Sequence, residues 1–165
     1  MARSSAPFQP LQPRLDALAQ ALGVESVLVM QSTPTHMRVE ASGGPQEATY
    51  AIGAEGRKGA AFADAQELYC ERVVDQDAPL FVRDSTQDAQ WAGNEDEVEF
   101  GLRNYLGYPL HRPDGSVYGT VCVLHDAARD YSDAERQALE QLRDEAQALL
   151  KEEEVAQEAA ARTGA

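Results

Sequence analysis

Leu11, Leu15, Leu18 and Leu22 recur at steps of four, three and four, which keeps one face of a helix apolar over about 11–22. Pro13 suits its first turn and Gly23 the position just past its end. VESVLVMQ (24–31) is aliphatic and β-branched and reads as a buried strand. MRVEAS (37–42) alternates, with Met37, Val39 and Ala41 on one side, and the two form a hairpin closed off by Gly43 and Gly44. Between 45 and 62 the pattern weakens; an edge strand is expected near Tyr50 to Ile52, followed by a loop around EGRKG. Asp64 and Glu67 have the spacing of a capping box, so the next helix is expected to run through AQELYCERVV. APLFVRD (78–84) is a short strand. The acidic stretch 85–102 is irregular, and its Trp91 implies a loop folded back onto the body.

The strongest signal lies at 104–125. NYLGYPLHR and SVYGTVCVLH flank a Pro-Asp-Gly turn, and the second strand is apolar without alternation, as expected of a strand covered on both faces. Ser132 and Glu135 then form an S-x-x-E capping box opening a long helix to about 158. Leu139, Leu142, Ala146 and Leu149 give it a coiled-coil-like seam, with Glu153 and Ala156 continuing the frame. Residues 1–10 are expected to be a flexible lead-in, 11–158 one domain, and 159–165 a disordered tail. Helices layered on a sheet of sequential hairpins make an α+β domain.

Composition narrows the function. The 165 residues suit one domain, and no apolar run approaches the roughly 20 residues that span a bilayer. MARSSAPFQP has no secretory h-region, so the default location is the cytoplasm. A net charge of −14, with two lysines against twelve arginines, argues against a nucleic-acid partner and an anionic membrane surface. The two cysteines, Cys70 and Cys122, are far apart, and the three histidines share no metal-ligand spacing. There is no Walker loop, dinucleotide fingerprint or nucleophile elbow, and Ser132 is accounted for as a helix cap.

The residues between 68 and 132 resemble the GAF domain, a small-molecule sensor module of signalling proteins. LYCERVVDQDAPLFVRDS is similar to that family's helix-then-strand segment, DAQWAGN to its aromatic loop, YLGYPLHRPDGSVYGTVCVLH to its hairpin, and RDYSDAERQALEQL to its closing helix. The resemblance implies an antiparallel six-stranded sheet with helices on both sides, a ligand pocket over one face, and the terminal helices on the other. It also implies a homodimer through helices 11–22 and 132–158, and an effector of the histidine kinase or nucleotide cyclase type. His125 departs from the pattern, standing where the family usually has aspartate.

On that frame the expected ligand-binding residues are Tyr69, Cys70, Trp91, Phe100, Tyr105, Tyr108 and Cys122, largely apolar with a few polar handles. The cyclic-nucleotide pattern N-K-x-x-x-F-x-x-x-D-E is missing, and no Cys-His pair adjacent in sequence offers bilin attachment. The primary expectation is a non-enzymatic sensor. Two alternatives stand beside it. One is a thiol-based redox sensor or an enzyme like the free methionine sulfoxide reductases, with Glu67 and Glu71 expected to raise the pKa of Cys70. The other is a structural dimerisation module with a vestigial pocket.

Overall fold

Six antiparallel strands form one sheet in the computed structural model, which describes residues 3–45 and 50–163. In chain order they are β1 (Ser26–Ser32), β2 (His36–Gly43), β3 (Glu55–Arg57), β4 (Leu80–Val82), β5 (Asn104–His111) and β6 (Val117–His125). Their spatial order is β3-β2-β1-β6-β5-β4. β1 and β6 are therefore central, which explains the unbroken apolar run of β6. The helices are α1 (Gln12–Leu22), α2 (Tyr69–Gln76), α3 (Glu95–Phe100) and α4 (Asp133–Thr163).

Strand periodicity sorts the core into two layers. Val27 and Val29 of β1, Leu106, Tyr108 and Leu110 of β5, and Val121 and Val123 of β6 pack with Leu15 and Leu22 of α1 and Leu139, Leu142, Ala146 and Leu150 of α4. Their neighbours Leu28, Met30, Tyr105, Cys122 and Leu124 turn the other way, towards Tyr69, Cys70 and Val73 of α2 and the buried Trp91 and Leu102. A bulge near the start of β6, where Leu110 pairs with Gly119 and His111 with Val117, lets Tyr118 join the helical layer. A Cβ on Gly119 would lie 1.8 Å from the Met30 carbonyl oxygen, so only glycine allows β1 this close.

Local chemistry fixes the element ends. Gly23 takes a left-handed φ of 67° and its N–H donates to the Ala19 carbonyl, stopping α1. The Ser132 hydroxyl accepts from Glu135 N–H at 3.1 Å while the Glu135 carboxylate accepts from Ser132 N–H at 2.9 Å, the reciprocal box that starts α4. At the hairpin turn, Asp114 accepts from Ser116 N–H at 2.9 Å.

Several expectations are corrected. The edge strand lies at Glu55–Arg57, inside the expected EGRKG loop, because it pairs with His36–Arg38; Tyr50 instead turns its ring inward. Part of the stretch around it, residues 46–49, lies outside the described residues. Asp64 and Glu67 do not form a capping box: they pair with Arg57 and Arg72. α2 begins only at Tyr69, where Glu71 accepts from Leu68 N–H at 3.0 Å. The irregular acidic stretch contains α3, capped by Asn94, which accepts from Glu97 N–H. The described part of the expected lead-in, from residue 3, is packed: Ser5 N–H donates to Glu40 O, a 3₁₀ turn spans Ala6–Leu11, and Phe8 is fully buried. α4 continues to Thr163, past the expected end at 158, and the last two residues of the expected tail lie outside the described residues.

Candidate functional site

A cavity of about 100 Å³ lies on the sheet face opposite α1 and α4. Its floor comes from Leu28 and Met30 of β1, Met37 and Val39 of β2, Tyr105 of β5 and Leu124 of β6; strand alternation aims all of them to the same side. Leu68 and Cys70 at the start of α2 form one wall, and Tyr50 with Asp96 and Phe100 of α3 another. Exposed Glu55 and Glu95 and half-exposed Phe100 mark the mouth. The lining contains three carboxylates and no lysine, arginine or histidine.

The polar handles are specific. Tyr50 Oη donates to Asp96 Oδ1 at 2.5 Å. Burial pushes the Asp96 carboxyl up to about 6; Tyr50 opposes the shift, and Glu95 and Glu99 add to it. Burial, then Asp96, drives the Tyr50 hydroxyl well above its ordinary range, so it stays a donor. Deeper in, Cys70 Sγ lies 3.2 Å from Tyr105 Oη and 3.8 Å from Cys122 Sγ, and Thr120 Oγ1 donates to it at 3.4 Å. A Cβ on Gly107 would fall 2.1 Å from Tyr105 Oη, so the glycine of YLGYP is the space in which that ring lies.

An aromatic layer braces this wall. Tyr69 stacks on Tyr105 at 4.8 Å and meets Trp91 at 5.1 Å. Asn94 Nδ2 donates to Tyr69 Oη and to the Trp91 carbonyl, both at 2.8 Å, tying α3 to α2. Glu71 is buried, and its carboxylate collects the N–H groups of Gly59, Ala60 and Leu68 at 2.8, 3.0 and 3.0 Å. This pins the chain after β3 to α2.

Of the residues expected at a site, Cys70, Phe100 and Tyr105 line the cavity. Tyr69, Trp91 and Cys122 share its face but sit one layer behind it. Tyr108 does not belong: it is three residues from Tyr105 on one strand, so alternation sends it to the opposite face, where Arg143 of α4 lies over its ring. Sequence reasoning missed Tyr50, Glu95 and Asp96. The floor depends on β1 pairing with β6, which sets Leu28 opposite Cys122 and which no local pattern announces. Among the described residues, one group offers three metal-type donors, Glu25, His125 and Asp126, within 4.8 Å of one another and with Asp126 exposed; it lies outside the cavity lining.

A six-stranded antiparallel sheet, terminal helices on one face and a small roofed cavity on the other define a class of layered α+β domains. Comparison with known proteins agrees: the GAF domain family model matches residues 9–150, and the chain belongs to that family. A stretch of 71 residues, 43% of this chain, is 32% identical to the diguanylate cyclase DgcP of Escherichia coli K12, spanning one fifth of that protein's length (20%). Among solved structures, the red/green cyanobacteriochrome NpR6012g4 in its red-light-absorbing state superposes with a TM-score of 0.70 at 17% identity, covering 93% of this chain and 99% of that one. The free methionine-R-sulfoxide reductase of Neisseria meningitidis, in complex with its substrate, superposes with a TM-score of 0.68 at 13% identity, covering 92% and 81%. At these identities the likeness establishes the fold; photoreceptors and enzymes both use it. No helix among the described residues is long and apolar enough to cross a membrane.

Proposed function

We propose that this chain is a non-enzymatic cytoplasmic sensory domain that binds a small, mostly apolar molecule carrying a neutral or cationic head, and that relays occupancy to α4. The carrying observation is the lining: an apolar cavity whose polar groups are two tyrosines, a thiol and three carboxylates, with no cation to receive an anion. Measured against a 150 Å³ cavity that holds benzene, the volume suits a ligand body of about four to six heavy atoms. Phe100, in edge contact with Tyr50, offers a ring near the carboxylates, an arrangement favourable to an ammonium group.

The relay has a physical path. Asp77 caps the end of α2, and its Oδ1 lies 2.6 Å from His111 Nε2. Gln147 of α4 accepts from His111 N–H at 3.0 Å and lies 3.3 Å from its Nδ1. A shift of α2 over the cavity thus reaches α4 through one imidazole at the end of β5. Occupancy changes the helices only to the extent that the ligand prefers one arrangement over the other. We place a homodimer on the exposed sides of α1 and α4, with an effector of the nucleotide cyclase or histidine kinase type receiving the output.

Thermal-shift titration with butylamine, butanol and butyrate tests the reading. Butylamine is expected to raise the melting temperature at pH 7.5, butanol less, and butyrate not at all. Because Asp96 ionises only above about pH 6, the amine effect should fade as the pH drops through 6 and be largely lost in Asp96→Asn. A response to none of the three would instead mark a vestigial pocket in a structural module. Turnover of free methionine sulfoxide with a dithiol reductant would overturn the non-enzymatic reading.

A further inference from the structure

The pairing of two thiols at the cavity wall is not explained by ligand binding. Cys70 and Cys122 come from α2 and β6, and their sulfurs lie 3.8 Å apart inside a layer that is otherwise aromatic and aliphatic. Only Cys70 lines the cavity, while Cys122 is completely buried behind it. The groups around them are unequal. Cys70 Sγ has Thr120 Oγ1 at 3.4 Å as a donor, Tyr105 Oη at 3.2 Å, and Cys122 itself as neighbours.

This arrangement splits the two thiols. The Cys122 contact, and after it Thr120 and Tyr105, holds the Cys70 thiol below its usual range against the opposing effect of burial. The same contact and burial push Cys122 well up. Tyr105 is raised too, by burial first and then by the two thiols, so it remains protonated and able to donate. The expectation that Glu67 and Glu71 would raise Cys70 is corrected: Glu71 is occupied by three backbone amides, and Glu67 by Arg72.

We propose that Cys70 and Cys122 are a peroxide-responsive dithiol, Cys70 being the sulfur that a small hydroperoxide attacks from the cavity and Cys122 the sulfur that resolves it. In the first step the Cys70 thiolate attacks the terminal peroxide oxygen. The O–O bond breaks, the remaining alkoxide or hydroxide takes up a proton and leaves as alcohol or water, and Cys70 becomes a sulfenic acid. In the second, Cys122 sulfur attacks Cys70 sulfur, the S–O bond breaks, and the hydroxyl leaves as water with the Cys122 proton. Two thiols have given two electrons to one peroxide. An external dithiol restores both by exchange. Closing the sulfurs from 3.8 Å to a bond of about 2.0 Å draws the start of α2 onto β6 and narrows the cavity between them.

The experiment uses the whole chain. Protein is treated with hydrogen peroxide, denatured, alkylated with N-ethylmaleimide and weighed intact. Untreated protein should take up two maleimides; treated protein should take up none, lose two hydrogens in mass, and recover both sites after dithiothreitol. Tryptic mapping should find Cys70 joined to Cys122 within one chain. In Cys122→Ser, peroxide with dimedone should label Cys70; in Cys70→Ser, Cys122 should stay unoxidised at the same dose. Thr120→Val should slow Cys70 oxidation about tenfold, the loss of one bond to a charged acceptor, with the circular dichroism spectrum unchanged. Two free thiols after a dose that oxidises free cysteine would overturn the proposal, as would a disulfide between chains or faster labelling of Cys122 than of Cys70. The wild-type mapping needs no variant, so a variant that fails to fold leaves the test intact. The readout is also separate from the amine titration, so either reading can fail alone.

Discussion

Asn104 shows how much one side chain can hold. It is fully buried at the start of β5, and its Nδ2 donates to the carbonyls of Val82, Arg83 and Arg129 at 3.2, 3.0 and 2.8 Å. Its Oδ1 accepts from Tyr131 Oη at 2.5 Å. It thereby joins β4, β5 and the segment leading into α4. Asn104→Ala leaves several buried polar groups without partners, and urea unfolding should show a loss of about 3 kcal/mol. Asp96 gives the opposite case. Its folded-state carboxyl titrates at about 6, above the ordinary value, so the folded protein holds a proton that the unfolded chain has released. Stability should therefore fall as the pH rises from about 4 to 6 and stay lower above that. Asp96→Asn should be more stable than wild type by roughly 3 kcal/mol at pH 7.5, since each tenfold change in proton affinity is worth about 1.4 kcal/mol, and the two should converge near pH 4. Trp91, buried between Tyr69 and the Arg72 guanidinium 5.3 Å away, anchors the segment leading to α3. Trp91→Ala should loosen that wall and weaken amine binding in the same titration; unchanged affinity would remove the tryptophan from the site. At this scale the sequence is half legible. Cys70, Phe100 and Tyr105 stand out as chemistry-bearing residues, but Tyr50 and Asp96 meet only because α3 folds back over the sheet, and nothing local announces that pair.

Elements are legible wherever periodicity and end chemistry agree. α1, the β1–β2 hairpin, the β5–β6 hairpin and the cap of α4 each combine an apolar repeat with a residue that starts or stops it. β3 and the start of α2 are not. β3 is three residues long and exists because β2 offers it an edge, while α2 takes its capping carboxylate from inside the helix, at Glu71. The seam of α4 is legible at Leu139, Leu142 and Ala146, while its fourth buried position is Leu150 rather than the expected, half-buried Leu149, and it faces a different partner. Leu139, Leu142, Ala146 and Leu150 are buried against this chain's own sheet, so they are not free to pair with a second copy. Leu142→Glu should therefore unfold the domain rather than separate a dimer. Leu142→Ala should cost about 3 kcal/mol in the same urea titration, as expected for a leucine truncated in a well-packed core. Past Leu150 the helix is largely exposed, Val155 at 53%, and this is the part of α4 available to another chain.

At the scale of the whole molecule, the antiparallel sheet follows from sequential hairpins, but the strand order does not. β6 joins β1 across the middle, and this long-range pairing determines which residues share the cavity floor. Native mass spectrometry at micromolar concentration addresses the assembly. A species at twice the chain mass is expected, and it should survive His111→Ala. That variant removes the bridge between Asp77 and Gln147 without touching the exposed sides of α1 and α4, so hydrogen exchange in α4 should no longer respond to butylamine. A purely monomeric spectrum would move the output from a helix pair to a partner protein.

The division of the sheet into two independently packed layers has an engineering consequence. The residues that line the cavity and those that seat the terminal helices alternate along the same strands, yet the two sets belong to separate buried clusters. A designer could transplant the cavity-facing positions of β1, β5 and β6 from another domain of this shape, changing the cavity while leaving the seat of the terminal helices as it stands.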